Sequence, residues 1–324
     1  MRLGFAISGK RTAADALEVA RRMEAAGIDE VWITEDYFER GAFALAGAIL
    51  AATSRVRLGI GVVNPWTRHP VLTAMETAAL QELAPGRVVL GLGASNARWM
   101  QEQLGIPFEQ PLRRLGEAVE LVRAGLRGDP IRQRGLAGTV DARLSFTAGD
   151  VPIVLGVKGP RALDLARHVS DGVLLSVLSA PAYVAWARQR LGSELDQGIS
   201  SYVAVRCDDD RRVAREAIRS FVASFLGVHG DHAITRVAGL DPQLARAFTD
   251  GLRAGAPRAD LVTEDHLDVF VAAGDRDDVA GALHRHAEAG LDRAVIFDQP
   301  GGPIAPFLDD VLAAAKVAGL ELGE

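Results

Sequence analysis

The chain has 324 residues, of which 48% are hydrophobic and 24% are charged, a composition typical of a globular protein with a large core. Its net charge is -6, and its 36 lysines and arginines are scattered rather than clustered, which argues against a nucleic-acid partner. No apolar run approaches membrane-spanning length, and the first residues enter a strand-like run too early for a signal peptide to be expected. The single cysteine, Cys207, excludes an internal disulfide and fits the reducing cytoplasm.

Short β-rich runs alternate with longer segments of helical period, as in βα units around a parallel sheet. The first helical segment, 12–26, is amphipathic and is followed by Gly27, a residue that favours the end of a helix. The pattern predicts eight strands, near 3–8, 31–34, 57–61, 88–92, 152–155, 173–176, 201–206 and 294–297. These units predict the α/β class and a (β/α)8 TIM barrel.

Two stretches interrupt the regular alternation. Segment 128–149 is rich in glycine and turn residues, and the alternation in 139–146 predicts a hairpin within a loop excursion that wraps the barrel. Segment 208–274 contains helical patterns that predict a helical insertion before the last βα unit. Helix 303–319 is then expected to close the barrel, and the whole chain, 1–324, is expected to form a single domain.

In a barrel of this kind, the active site lies at the C-terminal ends of the strands, where the βα loops converge. The second strand is followed by two adjacent carboxylates, Glu35 and Asp36, in the loop 34–41. A carboxyl sheltered in a pocket can have a raised pKa and act as an acid, whereas the same pair in an open loop is solvated or caps the next helix. Because this loop lies at the barrel mouth, at least one carboxylate is expected to face the pocket.

The stretch after the third strand, 59–70, is the most informative in the chain. Gly61 precedes two β-branched residues, Val62 and Val63, an order that suits a bulge at which the backbone approaches a flat ligand closely. His69 stands immediately before a proline at a predicted helix start, so an orienting or capping role is expected for it rather than a role as a base.

Small residues follow the fourth strand, from Gly91 to Ser95. They leave space and offer backbone and hydroxyl donors, although glycines also serve simple turns. The fifth strand is followed by segment 156–161, which contains Lys158, Arg161 and a proline suited to the first turn of a helix. Free N–H groups at a helix N-terminus beside two cations make a phosphate site, and an ordinary capped helix is the alternative.

Metal and nucleotide sites of other kinds find little support. The close histidine pairs, His229 with His232 and His284 with His286, fall in the insertion or an outer helix. Without a third ligand, they are expected to be surface residues rather than metal ligands. No glycine-rich fingerprint follows the first strand and no Walker pattern occurs, so a Rossmann-type site is disfavoured.

Taken together, these junctions resemble the luciferase-like superfamily, and within it the branch that uses the deazaflavin coenzyme F420, over nearly the whole chain. Residues 64–70, Asn-Pro-Trp-Thr-Arg-His-Pro, are similar to a signature of methylene-tetrahydromethanopterin reductase-like proteins, and 91–95, Gly-Leu-Gly-Ala-Ser, matches their loop after strand 4. The resemblance implies a non-prolyl cis peptide at Gly61–Val62 that backs the coenzyme ring. It also implies that the coenzyme phosphate lies at 159–161.

The chain departs from the family after strand 2. Relatives often carry Asp-His there, whereas this chain has Glu35 followed by Asp36, so a histidine-dependent step is not carried over. Any proton transfer then needs a carboxyl. The resemblance implies that Glu35 mainly orients the ring or the loop, and Asp36, in the histidine's place, is the better candidate for proton transfer.

The leading hypothesis is a cytoplasmic oxidoreductase that moves a hydride between F420 and a small organic substrate, as a homo-oligomer, expected to be a homodimer. An FMN-dependent luciferase-like monooxygenase with a partner reductase, and a non-catalytic flavin-binding protein, are the alternatives. No nucleic acid, membrane or metal is expected to take part. The residues assigned to catalysis are Asp36 and Glu35, and those assigned to the coenzyme are Gly61, Val62, Val63, Asn64, Gly93, Ala94, Ser95, Gly156, Lys158, Gly159, Pro160 and Arg161.

Overall fold

Eight parallel strands close into a barrel in the computed structural model, which describes residues 1–36, 38–192, 195–297 and 304–320. The strands are β1 (Arg2–Ile7), β2 (Glu30–Ile33), β3 (Arg57–Val63), β4 (Val88–Gly93), β5 (Ile131–Gly135), β6 (Gly138–Ala142), β7 (Ile153–Val157), β8 (Gly172–Leu175), β9 (Gly198–Cys207), β10 (Ala272–Gly274) and β11 (Arg293–Phe297). Pairing runs β1-β2-β3-β4-β7-β8-β9-β11 and returns from β11 to β1, which closes the ring. The predicted (β/α)8 TIM barrel is confirmed.

Helices connect the strands and surround the barrel. They are α1 (Ala13–Ala25), α2 (Ala42–Ala52), α3 (Pro70–Leu83), α4 (Pro111–Arg127), α5 (Pro160–Val169), α6 (Pro181–Leu191), α7 (Arg211–His229), α8 (Ala233–Val237), α9 (Pro242–Arg253), α10 (Glu264–Phe270), α11 (Arg276–Glu288) and α12 (Ile304–Val317). A π-helical turn, Arg98–Gln103, and a 3-10 turn, Ala259–Leu261, lie between them. Among the described residues, no helix is both long enough and apolar enough to cross a membrane.

The strands are continuous apolar runs because both of their faces are buried, one toward the barrel interior and the other against the helices. Every residue of β2 and of β4 is buried. The helix boundaries have local causes: Thr12 accepts a hydrogen bond from the backbone N–H of Asp15 at 3.1 Å, and α1 ends just before Gly27, whose φ is 82°. The predicted first helix is therefore confirmed.

The two irregular segments differ in structure. Segment 128–149 does contain a hairpin, formed by β5 and β6 in antiparallel pairing. The predicted alternation over 139–146 is wrong beyond Ala142, because Ala142 pairs with Ile131, the first residue of the partner strand. In the other segment, α7 to α10 are followed by β10, which pairs in parallel with β9 outside the ring. The division into one domain with an insertion stays a prediction.

A buried ionic network closes the N-terminal end of the barrel. Glu30, at the start of β2, accepts from Trp32 Nε1 at 2.7 Å and lies 3.2 Å from Arg293 Nε. Arg57 Nη1 approaches the same carboxylate at 3.3 Å. Because Glu30 and Arg293 are only 1% and 3% exposed, each charge depends on the other for compensation. This end is sealed, which leaves the opposite mouth for a ligand.

Candidate active site

The residues assigned to the site from the sequence lie at the C-terminal ends of four strands that are neighbours in the barrel, β2, β3, β4 and β7. Their positions are as follows: Glu35 and Asp36 follow β2, Gly61 to Val63 end β3 with Asn64 after them, Gly93 ends β4 with Ala94 and Ser95 after it, and Gly156 in β7 precedes Lys158, Gly159, Pro160 and Arg161. They therefore share one side of the mouth.

The end of β3 carries the irregularity that shapes this mouth. The Gly61–Val62 peptide bond is cis, as predicted, and the pairing of β3 with β4 is irregular at the same place. A Cβ atom on Gly93 would lie 2.5 Å from Val62 Cγ2, and one on Gly156 would lie 3.0 Å from Val62 Cγ1. The two glycines therefore leave the space that the side chain of Val62 fills.

Gly61 lacks a side chain because the barrel interior next to it is already filled. A Cβ atom at this position would lie 2.5 Å from Tyr202 Oη and 2.7 Å from Trp32 Cε3. The hydroxyl of Tyr202 donates a hydrogen bond across the barrel to the carbonyl of Gly61 at 2.8 Å. Burial, with the charge of Asp36 adding to it, raises the pKa of Tyr202, so this hydroxyl keeps its proton. Trp32, Tyr202 and Val62 form the floor of the mouth.

Glu35 is paired with an arginine from the loop after β3. Arg68 Nη1 donates to Glu35 Oε1 at 2.9 Å, and Arg68 Nε lies 3.0 Å from Glu76 of α3. The guanidinium also lies over the ring of Phe43, 4.7 Å from its centroid. The second carboxylate oxygen, Glu35 Oε2, is buried and has no partner among the described residues. Glu35 is thus held in place with one oxygen left for a ligand.

Asp36 lies in a different electrostatic setting. Burial raises the pKa of Asp36 and the charge of Glu35 adds to the rise, while the hydroxyl of Thr34 and the charge of Lys10 oppose it. The charge of Asp36 in turn contributes to the raised pKa of Tyr202. A carboxyl with a raised pKa keeps its proton to a higher pH than an exposed one, as an acid in a site requires.

The loop after β4 offers an unused hydroxyl. Ser95 has a φ of 58°, in the left-handed region that few serines adopt. Its Oγ is buried and has no partner within the part of the chain that the structure describes. A buried hydroxyl without a partner costs free energy until a ligand or a water bonds to it. Ser95 and Glu35 therefore suit a polar ligand that lies over the floor.

Two residues of the loop after β3 have roles within the loop. Asn64 Oδ1 accepts from the backbone N–H groups of Trp66 at 2.9 Å and Thr67 at 3.1 Å, so it shapes the turn. His69 Nδ1 accepts from the backbone N–H of Val71 at 3.2 Å at the start of α3. The predicted capping role of His69 is confirmed.

The segment between β7 and α5 has the features of an anion site. Gly159 caps α5 and Pro160 is its first residue, as the pattern predicted. The hydroxyl of Tyr183 donates to the carbonyl of Lys158 at 2.6 Å and fixes the turn. Burial lowers the pKa of Lys158, and no carboxylate of the described residues pairs with it. A half-buried cation without a counter-charge at a helix N-terminus favours an anionic ligand.

The expectation that the paired histidines are surface residues is wrong for two of them, His229 and His286. Both are buried and bind backbone carbonyls, His229 Nε2 that of Val177 at 2.8 Å and His286 Nε2 that of Ser179 at 3.1 Å. Burial, helped by the charge of Lys158, lowers the pKa of His229 to about 3, so the ring is neutral. The helices pack these rings inward onto the loop after β8, which residue spacing alone does not reveal. Among the described residues, no group of three or more His, Cys, Asp or Glu side chains is arranged to hold a metal ion.

Sequence reasoning missed three residues of the site, Trp32, Tyr202 and His232. The first two lie on predicted strands, but alternation does not say which face of a strand points inward. The sequence did contain one indication of these inward-facing rings, namely the glycines on neighbouring strands that make room for them, such as Gly61 opposite Tyr202. His232 reaches the site from the helical segment after β9, and a Cβ atom on Gly159 would lie 3.4 Å from its ring.

The closed barrel, with its sealed N-terminal end and its polar mouth, belongs to the (β/α)8 class, in which ligand sites lie at the C-terminal ends of the strands. The sequence matches the luciferase-like monooxygenase family over residues 1–293. The chain belongs to this family.

Its relatives place it within the family. A 5,10-methylenetetrahydromethanopterin reductase of Methanolobus tindarius is 31% identical over 315 residues, which cover 94% of each chain. The protein of the same name from Archaeoglobus fulgidus is 32% identical over 87% of this chain and 88% of its own. Among solved structures, the coenzyme F420 dependent tetrahydromethanopterin reductase of Methanopyrus kandleri has a TM-score of 0.83 at 24% identity, with 97% of this chain and 96% of that chain covered. The predicted branch of the family is confirmed, and the chain is an oxidoreductase.

We expect Gly61→Ala to lower the free energy of unfolding by about 1–3 kcal/mol, because the added Cβ atom overlaps Tyr202 and Trp32 and must displace them. Urea denaturation measures this change. Gly116→Ala in α4 is the matched control, because its added Cβ atom meets only Leu165 at an ordinary 3.5 Å. The control should gain about 0.5–1 kcal/mol, as expected for alanine in a helix. Equal effects of the two substitutions would contradict the tight fit at the floor.

Proposed function

We propose that the chain transfers a hydride between coenzyme F420 and a small organic substrate. The observation that carries this proposal is the identity of about one third to reductases that align with nearly the whole chain. One solved relative in that group is named for coenzyme F420. The alignment includes every junction from which the mouth is built.

The residues at the mouth fit this coenzyme. The backbone at Gly61–Val62 would back the flat ring, supported from below by the side chains of Trp32 and Tyr202. The unpartnered hydroxyl of Ser95 would bond to the polar edge of the ring. Lys158, with the N-terminus of α5, would hold the phosphate, since both offer positive charge to an anion. When bound, the deazaflavin supplies the carbon that gives or takes the hydride.

The two carboxylates after β2 have separate parts in this proposal. Glu35 is ion-paired with Arg68 and therefore orients ligand and loop. Asp36 follows β2 at the mouth and has a raised pKa, so it donates the proton that accompanies the hydride in the reducing direction. The substrate would lie on the open side of the ring, where none of the described residues requires one particular chemical group. The single cysteine, Cys207, supports placing the enzyme in the reducing cytoplasm.

We expect F420 to bind more tightly than FMN, because residues 64–70 resemble the F420-type signature and a solved relative that covers nearly the whole chain is named for coenzyme F420. Lys158 would attract the phosphate of either coenzyme and does not decide between them. Titration of the purified protein with each coenzyme, followed by fluorescence, measures the two dissociation constants. Binding of FMN at least about tenfold tighter, a preference of about 1.4 kcal/mol, would instead favour an FMN-dependent monooxygenase. Binding without turnover of any reductant or substrate would favour a storage protein.

We expect Asp36→Asn to lower turnover by roughly 100-fold or more with little change in coenzyme affinity, the size typical of losing one acid–base group. Steady-state kinetics with a confirmed substrate and a coenzyme titration measure the two quantities separately. Asp129→Asn is the control, because the side chain of Asp129 is half exposed and, within the described part of the chain, forms its ion pair with Arg127 alone. Unchanged turnover in Asp36→Asn would mean that the proton reaches the substrate from water.

We also propose that two copies associate through the outer faces of α2 and α3. Helix α2 has no charged residue, and an all-apolar helix is normally buried on every side. Helix α3, which packs beside it, exposes Leu72, Met75 and Leu83 along one face. A second copy presents the same apolar patch, so a two-fold contact would bury both patches.

We expect Leu72→Glu together with Met75→Glu to convert the dimer to a monomer, because four buried charges would face each other across the two-fold contact. Light scattering after size-exclusion chromatography measures the mass. Val213→Glu is the control, since Val213 is equally exposed but lies on α7, away from α2 and α3. A monomeric wild-type protein would refute the proposed contact.

A further inference from the structure

The mouth of the barrel has an aromatic side as well as a polar one. The residues assigned to the coenzyme lie at the ends of β2, β3, β4 and β7, whereas β9 and β11 stand across the barrel from β3 and β4. Phe297, the last residue of β11, belongs to the same cluster as the floor residues Trp32, Val62 and Tyr202. Its ring centroid lies 5.6 Å from that of Tyr202, edge to face at 79°. The ring of Phe297 therefore borders the floor on the side opposite the polar residues.

Helix α7 continues this aromatic side beyond the floor. The ring centroid of Phe221 lies 5.9 Å from that of Phe297, with 35° between the two planes. Phe225 follows one turn later on the same face of the helix, and its ring centroid lies 4.5 Å from that of Phe221. The three phenylalanines form a continuous line of rings, the aromatic row, from the edge of the floor along α7.

The position of α7 places the aromatic row along the rim of the mouth. The helix begins at Arg211, just beyond the end of β9. Its last residue, His229, donates through Nε2 to the carbonyl of Val177, in the loop after β8, at 2.8 Å. The ring centroid of Phe225 lies 6.3 Å from that of His229. Both ends of the helix thus lie at the C-terminal ends of neighbouring strands, so the face that carries the row runs beside the mouth.

The rings of the aromatic row remain partly open. On the adjoining face of α7, Ile218, Val222 and Leu226 are 0% exposed and form part of the core of the helical segment after β9. The phenylalanines of the row pack against this core but are themselves only partly buried. Large aromatic side chains left partly exposed beside a ligand site favour an apolar ligand, because covering them removes further apolar surface from water.

The chemistry of the row selects a flat partner. A phenyl ring offers no conventional hydrogen bond, and it packs best on another ring in an offset or edge-to-face arrangement. Two of the buried polar atoms without a partner, Ser95 Oγ and Glu35 Oε2, follow β4 and β2, on the other side of the mouth. A ligand therefore gains apolar contact and ring stacking from the row, and none of the hydrogen bonds that a sugar requires.

We propose that the aromatic row binds the substrate, and that the substrate carries a flat, uncharged aromatic ring system that stacks on Phe221 and Phe225. This inference rests on the proposed function and names the class of its substrate. The row starts at Phe297, beside the floor on which the coenzyme ring would lie, so the reacting atom of the substrate would lie at that end. The ring system would extend along α7, away from the coenzyme. Phe221 and Phe225 therefore determine which substrates bind, and they take no part in the proton transfer assigned to Asp36.

Two alcohols of similar size separate ring stacking from general apolar burial. They are 2-naphthol, which is flat and aromatic, and decahydro-2-naphthol, its saturated and puckered counterpart. Isothermal titration calorimetry of the protein saturated with F420 measures their dissociation constants while the coenzyme site is occupied. The flat alcohol should bind about tenfold more tightly, the size expected for gaining one or two aromatic pairs. Equal affinities in the wild type would overturn the inference.

Paired substitutions show whether the row causes this preference. Phe221→Leu together with Phe225→Leu keeps apolar side chains but removes the flat rings, so the preference should fall to less than about threefold. Phe221→Tyr together with Phe225→Tyr keeps the rings and should retain it. Phe146→Leu, in the loop between β6 and β7, is the matched control because its ring is also partly buried. A preference that survives the Phe→Leu pair, or that is lost equally in both pairs, would overturn the inference.

Kinetics with a confirmed substrate separate binding from chemistry. In the Phe→Leu double variant, KM should rise about tenfold while kcat and the affinity for F420 change little, because the row holds the substrate and not the coenzyme. An unchanged KM, or a confirmed substrate without a flat ring system, would overturn the inference. Absence of F420 binding or of any hydride transfer in the wild type would instead refute the proposed function. The same titrations on the free protein would then still decide whether the row binds aromatic rings.

Discussion

The space at the end of β3 is the constraint on which the rest of the mouth depends. The side chains of Trp32, Tyr202 and Val62 must share it, and each fits only because a neighbouring residue has no Cβ atom. The ring of Tyr202 fits because residue 61 is glycine, and Val62 fits because Gly93 and Gly156 face it. The backbone at the bulge is thereby supported from inside the barrel and left open toward the mouth. A flat coenzyme that lies directly against the backbone needs both features, because the backbone must be exposed to the ring and held rigidly from behind.

The same acidic residue type has opposite roles at the two ends of the barrel. At the sealed end, Glu30 is compensated by Arg293, and the pair fills the interior without a ligand. At the mouth, Glu35 is compensated by Arg68, but one of its oxygens stays unused. No arginine among the described residues pairs with Asp36, and its pKa is raised. Ion pairing of the carboxylates therefore decreases from the sealed end of the barrel to Asp36. At Asp36, the proposed proton donor, a carboxyl that still holds its proton is useful.

The features that the sequence predicted are those set by residues close together in the chain, and the features that it missed depend on residues far apart in the chain. The strands and the bulge at Gly61 are local patterns, set by alternation and by a glycine before β-branched residues, and they were predicted. The inward positions of Tyr202 and His229 depend on which face of a strand or helix meets the barrel, which is decided by contacts far apart in the chain. Glu39, in the loop after β2, fits against Gly9, thirty positions earlier in the loop after β1, a contact that no local pattern reveals. Sequence motifs therefore locate the loops that follow the strands, whereas the closing of the barrel determines which side chains meet at its mouth.

Several ionisable groups at the mouth have pKa values that folding shifts away from their ordinary range, and each such shift opposes folding over part of the pH scale. A carboxyl whose pKa is raised by folding, such as Asp36 or Glu39, holds more protons in the folded state than in the unfolded chain, so the free energy of unfolding falls as pH rises through that window. Lys158 has the opposite sign: its pKa is lowered, the folded state holds fewer protons, and the free energy of unfolding rises with pH. Near neutral pH both kinds of group are therefore held in an unfavourable environment. An anion that binds Lys158 would stabilise the folded state, because it compensates the charge of the lysine. The raised pKa of Asp36 would remain, and it is the property on which the proposed proton transfer depends.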